Sequence, residues 1–293
     1  MKGKGTPRNK KPTRSELALL DGAQAGKLRA VQVLLRRGAA GVNVRDPRGT
    51  YPQRTPLMHA AAGGHRKVVK LLLAAGAEVD ARDRGVAALG TYGGNTALTL
   101  ALENGHADIA AVLLDAGADP NARGGESNAL GAAAERGMVG MVRRLIALGA
   151  DVDGKPSSGW PPLLSALTNR KQVAARTLIE AGADPNTCGD GRINVLTTAA
   201  EEGFTELCAL LLERGADPNR RDDDHYTPLM GAALHGREQV VQLLLAHGAR
   251  ADARDREGNT ALAFAELHEG HARYARVASL LRAAQKSQAR KRR

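Results

Sequence analysis

A leucine returns at nearly constant spacing along this chain of 293 residues. Leu98, Leu130, Leu163, Leu196, Leu229 and Leu262 follow one another at steps of 32, 33, 33, 33 and 33. A Gly-Ala step follows each of the first five at one unvarying offset, at Gly117, Gly149, Gly182, Gly215 and Gly248. A fixed period in this range means a stacked array of one supersecondary unit. Such an array encloses no cavity by default; it presents an extended face to a partner. Leu57 with Gly76, and Leu19 with Gly38, keep the same offset, although each stands further from the next leucine than the later copies do. From Asp46 to Leu57 the chain takes 11 steps and from Asp83 to Leu98 it takes 15, against seven from Asp222 to Leu229. The surplus therefore falls in the turns before two of the units, near residues 47–54 and 84–93, apart from one residue near Gly41. About eight copies fill residues 15–282.

One copy shows why the period is structural. In Thr227-Pro228-Leu229-Met230-Gly231-Ala232-Ala233-Leu234-His235-Gly236, Thr227 is a natural N-cap and Pro228 sits where no N–H is needed. A second apolar run, Val240-Val241 and Leu243-Leu244-Leu245, ends at Gly248, a residue able to close a helix in the left-handed conformation. Two short helices cannot bury their shared face alone, so copies must stack. The fold class is an all-α solenoid of helix-turn-helix units with extended loops between the pairs.

These residues resemble the ankyrin repeat family over about nine tenths of the chain. The resemblance is carried by Thr55-Pro56-Leu57, Thr227-Pro228-Leu229, the Gly64-His65 and Gly105-His106 steps, and Gly-Ala-Asp-Pro-Asn at residues 117–121, 182–186 and 215–219. It implies L-shaped units, each an antiparallel helix pair followed by a loop or β-hairpin finger. The family's histidine after Thr-Pro-Leu is replaced by Met58, Thr99, Gly131, Leu164, Thr197, Met230 and Ala263, which predicts that the Thr–His tie across that turn is absent. Asn128, Pro161 and Asn194 stand where the capping Thr belongs; asparagine still caps and proline does not, so copies four to six are expected to be less stable locally.

Aromatic residues make up 2% of the chain, so the core must be built of Leu, Ala, Val and Ile. No apolar stretch approaches the ~20 residues of a membrane span, and the charged N-terminus lacks the apolar run of a secretory signal. Cys188 and Cys208, the two cysteines, fit a reducing cytoplasmic compartment without a disulfide framework. Residues 1–14 and 282–293 each carry a charge of +6, while the whole chain carries +11, so the repeat body nets −1. Like-charge blocks of this kind read as basic disordered tails at 1–14 and 283–293, able to bind polyanions weakly and in a salt-dependent way. No phosphate loop, His-Glu-x-x-His or Gly-x-Ser-x-Gly motif is present. His268 and His271 lack the further ligands of a metal set, and no base partner can be assigned to Cys188. The residues thus point to no catalytic, metal or cofactor site. They point to a monomeric protein-binding scaffold, with a nucleic-acid- or ribosome-associated protein using its basic termini as the alternative.

In the ankyrin family the turns and the exposed end of the first helix form the concave contact surface. Carried onto this register, the resemblance implies a partner-binding set of Tyr51, Tyr92, Glu135, Arg136, Trp160, Ile193, Glu201, Glu202, Asp223, Asp224, Tyr226 and His235. Trp160, Ile193 and Tyr226 hold one and the same position in three successive copies. They read as an apolar row of interface anchors, or as side chains folded over their own turns. Neither Trp160 nor Tyr226 falls in a helix core, so their replacement is expected to leave the fold intact. Glu201, Glu202 and Asp222–Asp224 read either as an acidic patch for a basic partner segment or as ordinary solvated acids.

Overall fold

The computed structural model describes residues 11–38, 40–48, 53–84, 93–125, 127–156, 159–189, 193–267 and 271–291. The chain divides into two compact units, Met1–Ala129 and Leu130–Arg293. The first holds three helix pairs: α1 (Arg14–Gln24) with α2 (Leu28–Arg36), α3 (Pro56–Ala62) with α4 (Arg66–Ala74), and α5 (Ala97–Glu103) with α6 (Ala107–Asp115). The second opens with α7 (Ala129–Glu135) and α8 (Val139–Ala147), then α9 (Pro162–Thr168) and α10 (Gln172–Glu180). The hairpin β1 (Cys188–Gly189) and β2 (Ile193–Asn194) follows, then α11 (Val195–Glu202) with α12 (Thr205–Glu213). The last pairs are α13 (Pro228–Leu234) with α14 (Glu238–Ala246), and α15 (Ala261–Glu266) with α16 (Ala272–Lys291). Within each unit, first helices pack on first helices and second helices on second helices. Among the described residues, these eight pairs fall on the copies read from the leucine period.

The first-helix leucines of copies one to seven, from Leu19 and Leu57 through to Leu196 and Leu229, are all buried. Leu262 of copy eight is half-buried. Alanines such as Ala60, Ala101, Ala199 and Ala232 fill the space between first helices, where a larger side chain would hold the backbones apart. Among the described residues, one aromatic enters the core, Tyr274 on α16.

Other residues take the place of the missing Thr–His tie. The turn that lacks the family's histidine is still tied in copies two and three. Thr55 N–H donates to Met58 Sδ at 3.4 Å while Met58 N–H donates to Thr55 Oγ1 at 3.3 Å. Thr96 and Thr99 make the same exchange at 2.9 and 3.3 Å. Asn194 Oδ1 accepts from Thr197 N–H at 2.7 Å, whereas Pro161 caps α9 with no side-chain bond. A missing cap costs about 1 kcal/mol, and on this geometry the penalty expected in copies four to six is placed at α9.

The residue at the start of three second helices, α4, α6 and α14, serves the copy before it. His65 Nε2 lies 2.9 Å from Gln24 O and His106 Nε2 lies 3.2 Å from Ala62 O; Arg237 Nε donates to Glu201 O at 2.8 Å. These side chains satisfy the carbonyls that the end of a first helix leaves open. They also explain the glycine opposite them. Gly203 has φ +77, and a Cβ there would lie 2.8 Å from Arg237 Cδ. Arg170 occupies the equivalent position of copy five with φ 57, a left-handed non-glycine residue.

Both lengthened turns fall between fixed anchors. Asp46 N–H donates to Arg54 O at 2.8 Å and Asp83 N–H to Asn95 O at 3.0 Å, as Asp222 N–H does to Tyr226 O at 3.1 Å in a turn of ordinary length. The insertions therefore leave the helix pairs in register. Most of both loops, with Tyr51 and Tyr92, lies outside the described residues.

The expected end boundaries move outward. Thr13 closes a capping box with Glu16, its N–H donating to Glu16 Oε2 at 2.7 Å, so that α1 takes in Arg14. Residues 283–291, expected as a disordered tail, belong to α16. They are anchored: Gln285 Nε2 donates to Ala251 O at 3.0 Å, and Gln288 bonds Ala249 O at 2.8 Å and Ala251 N–H at 3.0 Å.

An asparagine–aspartate ladder joins neighbouring fingers. Asn186 Oδ1 accepts from Asp217 N–H at 2.9 Å and its Nδ2 donates to Gly215 O at 2.9 Å. Asn219 does the same one copy later, to Arg250 N–H at 2.8 Å and Gly248 O at 3.1 Å. Asp153 occupies this position in copy four and accepts from Asp184 N–H at 3.0 Å, but an ionised carboxylate has nothing to donate to Gly182 O. Burial, reinforced by the charges of Asp184 and Asp151, raises the Asp153 carboxyl above its ordinary value of 3.8. A pKa raised in the folded state favours folding below the ordinary value, and that advantage is lost as pH rises through the folded one. Asp153→Asn is therefore expected to stabilise the chain by about 1 kcal/mol at neutral pH, the worth of one added hydrogen bond, with the gain shrinking as pH falls through the raised folded value and smallest below the ordinary 3.8. Urea unfolding at the two pH values checks this, and an unchanged midpoint at neutral pH refutes it.

Candidate functional site

In the second unit the turns before α9, α11 and α13 bring Trp160, Ile193 and Tyr226 to equivalent places, and the three differ in how they are held. Trp160 is half-buried. A Cβ on Gly189 would lie 3.7 Å from its ring and 2.7 Å from Leu164 Cδ2, so Trp160 and Leu164 rest over β1 in the space that this glycine leaves. Ile193 pairs with Gly189 in the hairpin and is 38% exposed, an apolar side chain directed outward from a finger. Tyr226 is turned inward. Its ring meets Phe264 edge-on, with centroids 5.5 Å apart and planes at 82°. Its hydroxyl is buried with no hydrogen-bond partner among the described residues. Burial raises the Tyr226 phenol well above its usual range, and the charges of Glu201, Asp222 and Asp255 add to the shift, so the ring stays neutral. The expectation that replacing Tyr226 spares the fold is thus not what this packing implies.

The acids around Tyr226 are largely engaged. Glu202 pairs with Arg170 at 2.6 Å and Asp224 with Arg256 at 3.4 Å. Asp222 Oδ1 accepts from Asp224 N–H at 2.9 Å and Tyr226 N–H at 2.8 Å, which shapes the turn. Glu201 lies over Gly231, where a Cβ would come 2.8 Å from Glu201 Cγ. Burial raises its carboxyl above the usual range, with His235 opposing and Glu202 and Asp222 contributing. Asp223 is exposed. The five acids are therefore mostly ion-paired or committed to local structure. His235 is exposed at the end of α13, its Nδ1 3.1 Å from Gly231 O, and Glu135 and Arg136 are exposed at the end of α7.

Neither cysteine is placed for chemistry. Cys208 is buried in α12, where burial pushes its thiol up to about 12 and keeps it protonated. Cys188 is half-buried in β1, with Arg220 Nη2 3.8 Å from its Sγ. Among the described residues, no three His, Cys, Asp or Glu side chains gather as a metal site, and no helix is long and apolar enough to cross a membrane. His268 lies outside the described residues.

What the sequence reading missed is the use of the asparagines. Asn186 and Asn219 belong to the Gly-Ala-Asp-Pro-Asn signature, but their acceptors lie in the following copy, at Gly215 and Gly248. The repeat period makes such neighbours adjacent without saying which atoms meet.

Comparison with known proteins gives the same architecture. The family described as Ankyrin repeats (3 copies) matches residues 19–124, 121–188 and 196–289. The human ASB11 ankyrin repeat domain, known from a crystal structure, superposes with a TM-score of 0.61 at 28% identity, over 79% of this chain and 98% of that one. The mitochondrial disaggregase of Homo sapiens is 42% identical over 79 residues, which is 27% of this chain and 11% of that protein. The Bos taurus disaggregase is 40% identical over 79 residues, 27% of this chain and 12% of that protein. The chain thus spans about a tenth of the length of these curated relatives. Ankyrin repeats are generally protein–protein interaction modules, and the family is typically non-enzymatic. With family matches running through nearly all of residues 19–289, the chain belongs to the ankyrin repeat family.

Proposed function

We propose that the chain is a non-enzymatic scaffold that binds a protein partner across the finger side of its second unit, with Trp160 and Ile193 as the principal contacts. The observation that carries this reading is Ile193, an isoleucine 38% exposed at the base of a hairpin finger, one repeat beyond the half-buried Trp160. Burying a branched apolar side chain is worth about 1.5–3 kcal/mol. Aromatic anchors beside a polar rim are the anatomy of an interface core. Glu135, Arg136, Glu202, Asp223, Asp224 and His235 form that rim in this reading, and Tyr226 supports it from beneath. The test compares wild type, Trp160→Ala and Ile193→Ser. Each is used to capture partners from the native host, and the recovered partner is then titrated with each protein. Either substitution is expected to weaken binding by about 2 kcal/mol while leaving the melting temperature within a few degrees of wild type. Unchanged affinity in both variants places the partner elsewhere.

A further inference from the structure

The near-neutral charge of the repeat body conceals a segregation. The outer helices of the first two copies carry Lys27, Arg29, Arg36 and Arg37 on and around α2, and Arg66, Lys67 and Lys70 on α4. Neither helix contains an Asp or Glu. On the outer helices α10 to α16, acids neutralise their neighbours; α8 also lacks an acid, but it carries two cations, Arg143 and Arg144. Arg176 pairs with Glu206 at 2.6 Å and Arg276 with Glu238 at 2.6 Å, while Arg66 reaches Asp108 of α6 at 3.4 Å. Among the described residues, Arg29, Arg36, Arg37, Lys67 and Lys70 have no such partner, and all five are exposed.

The arrangement is ordered. α2 and α4 pack side by side with Val31, Val68, Val69 and Leu72 buried. Arg29 and Lys67 are each the second residue of their helix, so they align across the two copies. Lys67 and Lys70 share a face at i, i+3, and Arg29, Val33 and Arg37 share one at i, i+4. Val33, in the middle of the cations, is 46% exposed. Repulsion within a cluster of one sign opposes the compact state, and a complementary partner relieves it.

We infer that the outer face of α2 and α4 docks an acidic protein segment, one whose carboxylates flank an apolar side chain seated on Val33. This surface belongs to the first unit, whereas the finger side proposed above belongs to the second, and its chemistry selects among polyanions. Single-stranded nucleic acid is held by aromatic stacking as well as charge, and no aromatic residue lies among the described residues of the first unit. Duplex phosphates reward cations and leave an exposed valine in water. An amphipathic acidic segment uses both features of the face.

The probe is a fluorescently labelled peptide of repeated Glu-Glu-Leu, titrated into the full chain at low and high salt. Binding is expected at low salt, to weaken as salt rises, and to fall about tenfold in Lys67→Glu/Lys70→Glu. The neutral pair Lys67→Gln/Lys70→Gln should fall less, and Val33→Ser should weaken binding with its salt dependence unchanged. Lys286→Glu/Arg290→Glu on α16 makes the same change in net charge and should leave the affinity within twofold. Circular dichroism confirms that each variant is folded. No binding at low salt, an equal loss in the α16 variant, or no loss in the α4 variants overturns the assignment. Tighter binding of a DNA duplex or of phosphatidylserine vesicles, with the same sensitivity to Lys67 and Lys70, also overturns it.

Discussion

Deletion of residues 258–293 is expected to make the chain aggregate, whereas deletion of 284–293 should leave it dispersed but less stable. The reason lies in what the last copy covers. Tyr274, Val277, Ala278 and Leu281 of α16 are buried. They pack with α15 against α13 and α14, where Val240, Val241 and Leu244 are buried in turn. Terminal repeats must present a polar outer face, and α16 does so with Arg276, Arg282, Lys286 and Arg290, all exposed. Without copy eight the apolar side of copy seven is open to water, and a contiguous apolar patch drives association. The shorter deletion spares that core but removes Gln285 and Gln288, which make three hydrogen bonds with Ala249 and Ala251. At about 1 kcal/mol for each bond, partly recovered by water, the loss is about 2 kcal/mol. Light scattering and thermal melting of both truncated chains distinguish the cases. If the longer deletion stays dispersed with an unshifted melting temperature, copy eight is no cap; if the shorter one melts like wild type, the glutamines hold nothing.

The contrast between the two ends of α16 shows what is legible in the sequence. The leucine period locates every described helix pair, because a first-helix leucine holds the same place in each copy and is buried in copies one to seven. The insertions can be placed because Asp46 and Asp83 repeat the role of Asp222, closing the finger from a fixed position. The C-terminal boundary is not legible. Residues 283–291 carry charge without an apolar stripe, and their order depends on two glutamines reaching back to the preceding finger at Ala249 and Ala251. Charge is obscured for a related reason. A sum over the repeat body gives −1, whereas the outer helices of the first two copies hold cations without acids. Only a count made helix by helix shows it.

The candidate site is legible in register and not in orientation. Trp160 and Tyr226 hold the same repeat position, but the matching place on the next first helix is filled differently: Thr198 for Trp160 and Phe264 for Tyr226. A threonine gives no ring to pack on, and Trp160 lies instead against the hairpin at Gly189. A phenylalanine draws Tyr226 inward. The motif sets the backbone path; the variable residue of the next copy decides whether an aromatic ring is a contact or a prop.

Tyr226→Ala is expected to destabilise the chain by about 2 kcal/mol, and Tyr226→Phe to leave it unchanged or up to about 1 kcal/mol more stable. The first figure follows from losing a half-buried ring and its edge-on contact with Phe264. The second follows from the hydroxyl. It is buried, feels the charges of Glu201, Asp222 and Asp255, and has no hydrogen-bond partner among the described residues. A buried polar group left unpaired costs free energy that its removal returns. The same pair of variants separates structure from contact. If Tyr226 acts only as a support for the finger side, Tyr226→Phe retains the affinity of wild type for the partner that Trp160→Ala loses. Tyr226→Ala then weakens binding only as far as it unfolds the turn. Denaturant melts and isotherms on both variants decide it. A wild-type melt for Tyr226→Ala would show the ring to be unnecessary to the fold. A loss of more than about 1 kcal/mol in Tyr226→Phe would show that the hydroxyl is bonded after all.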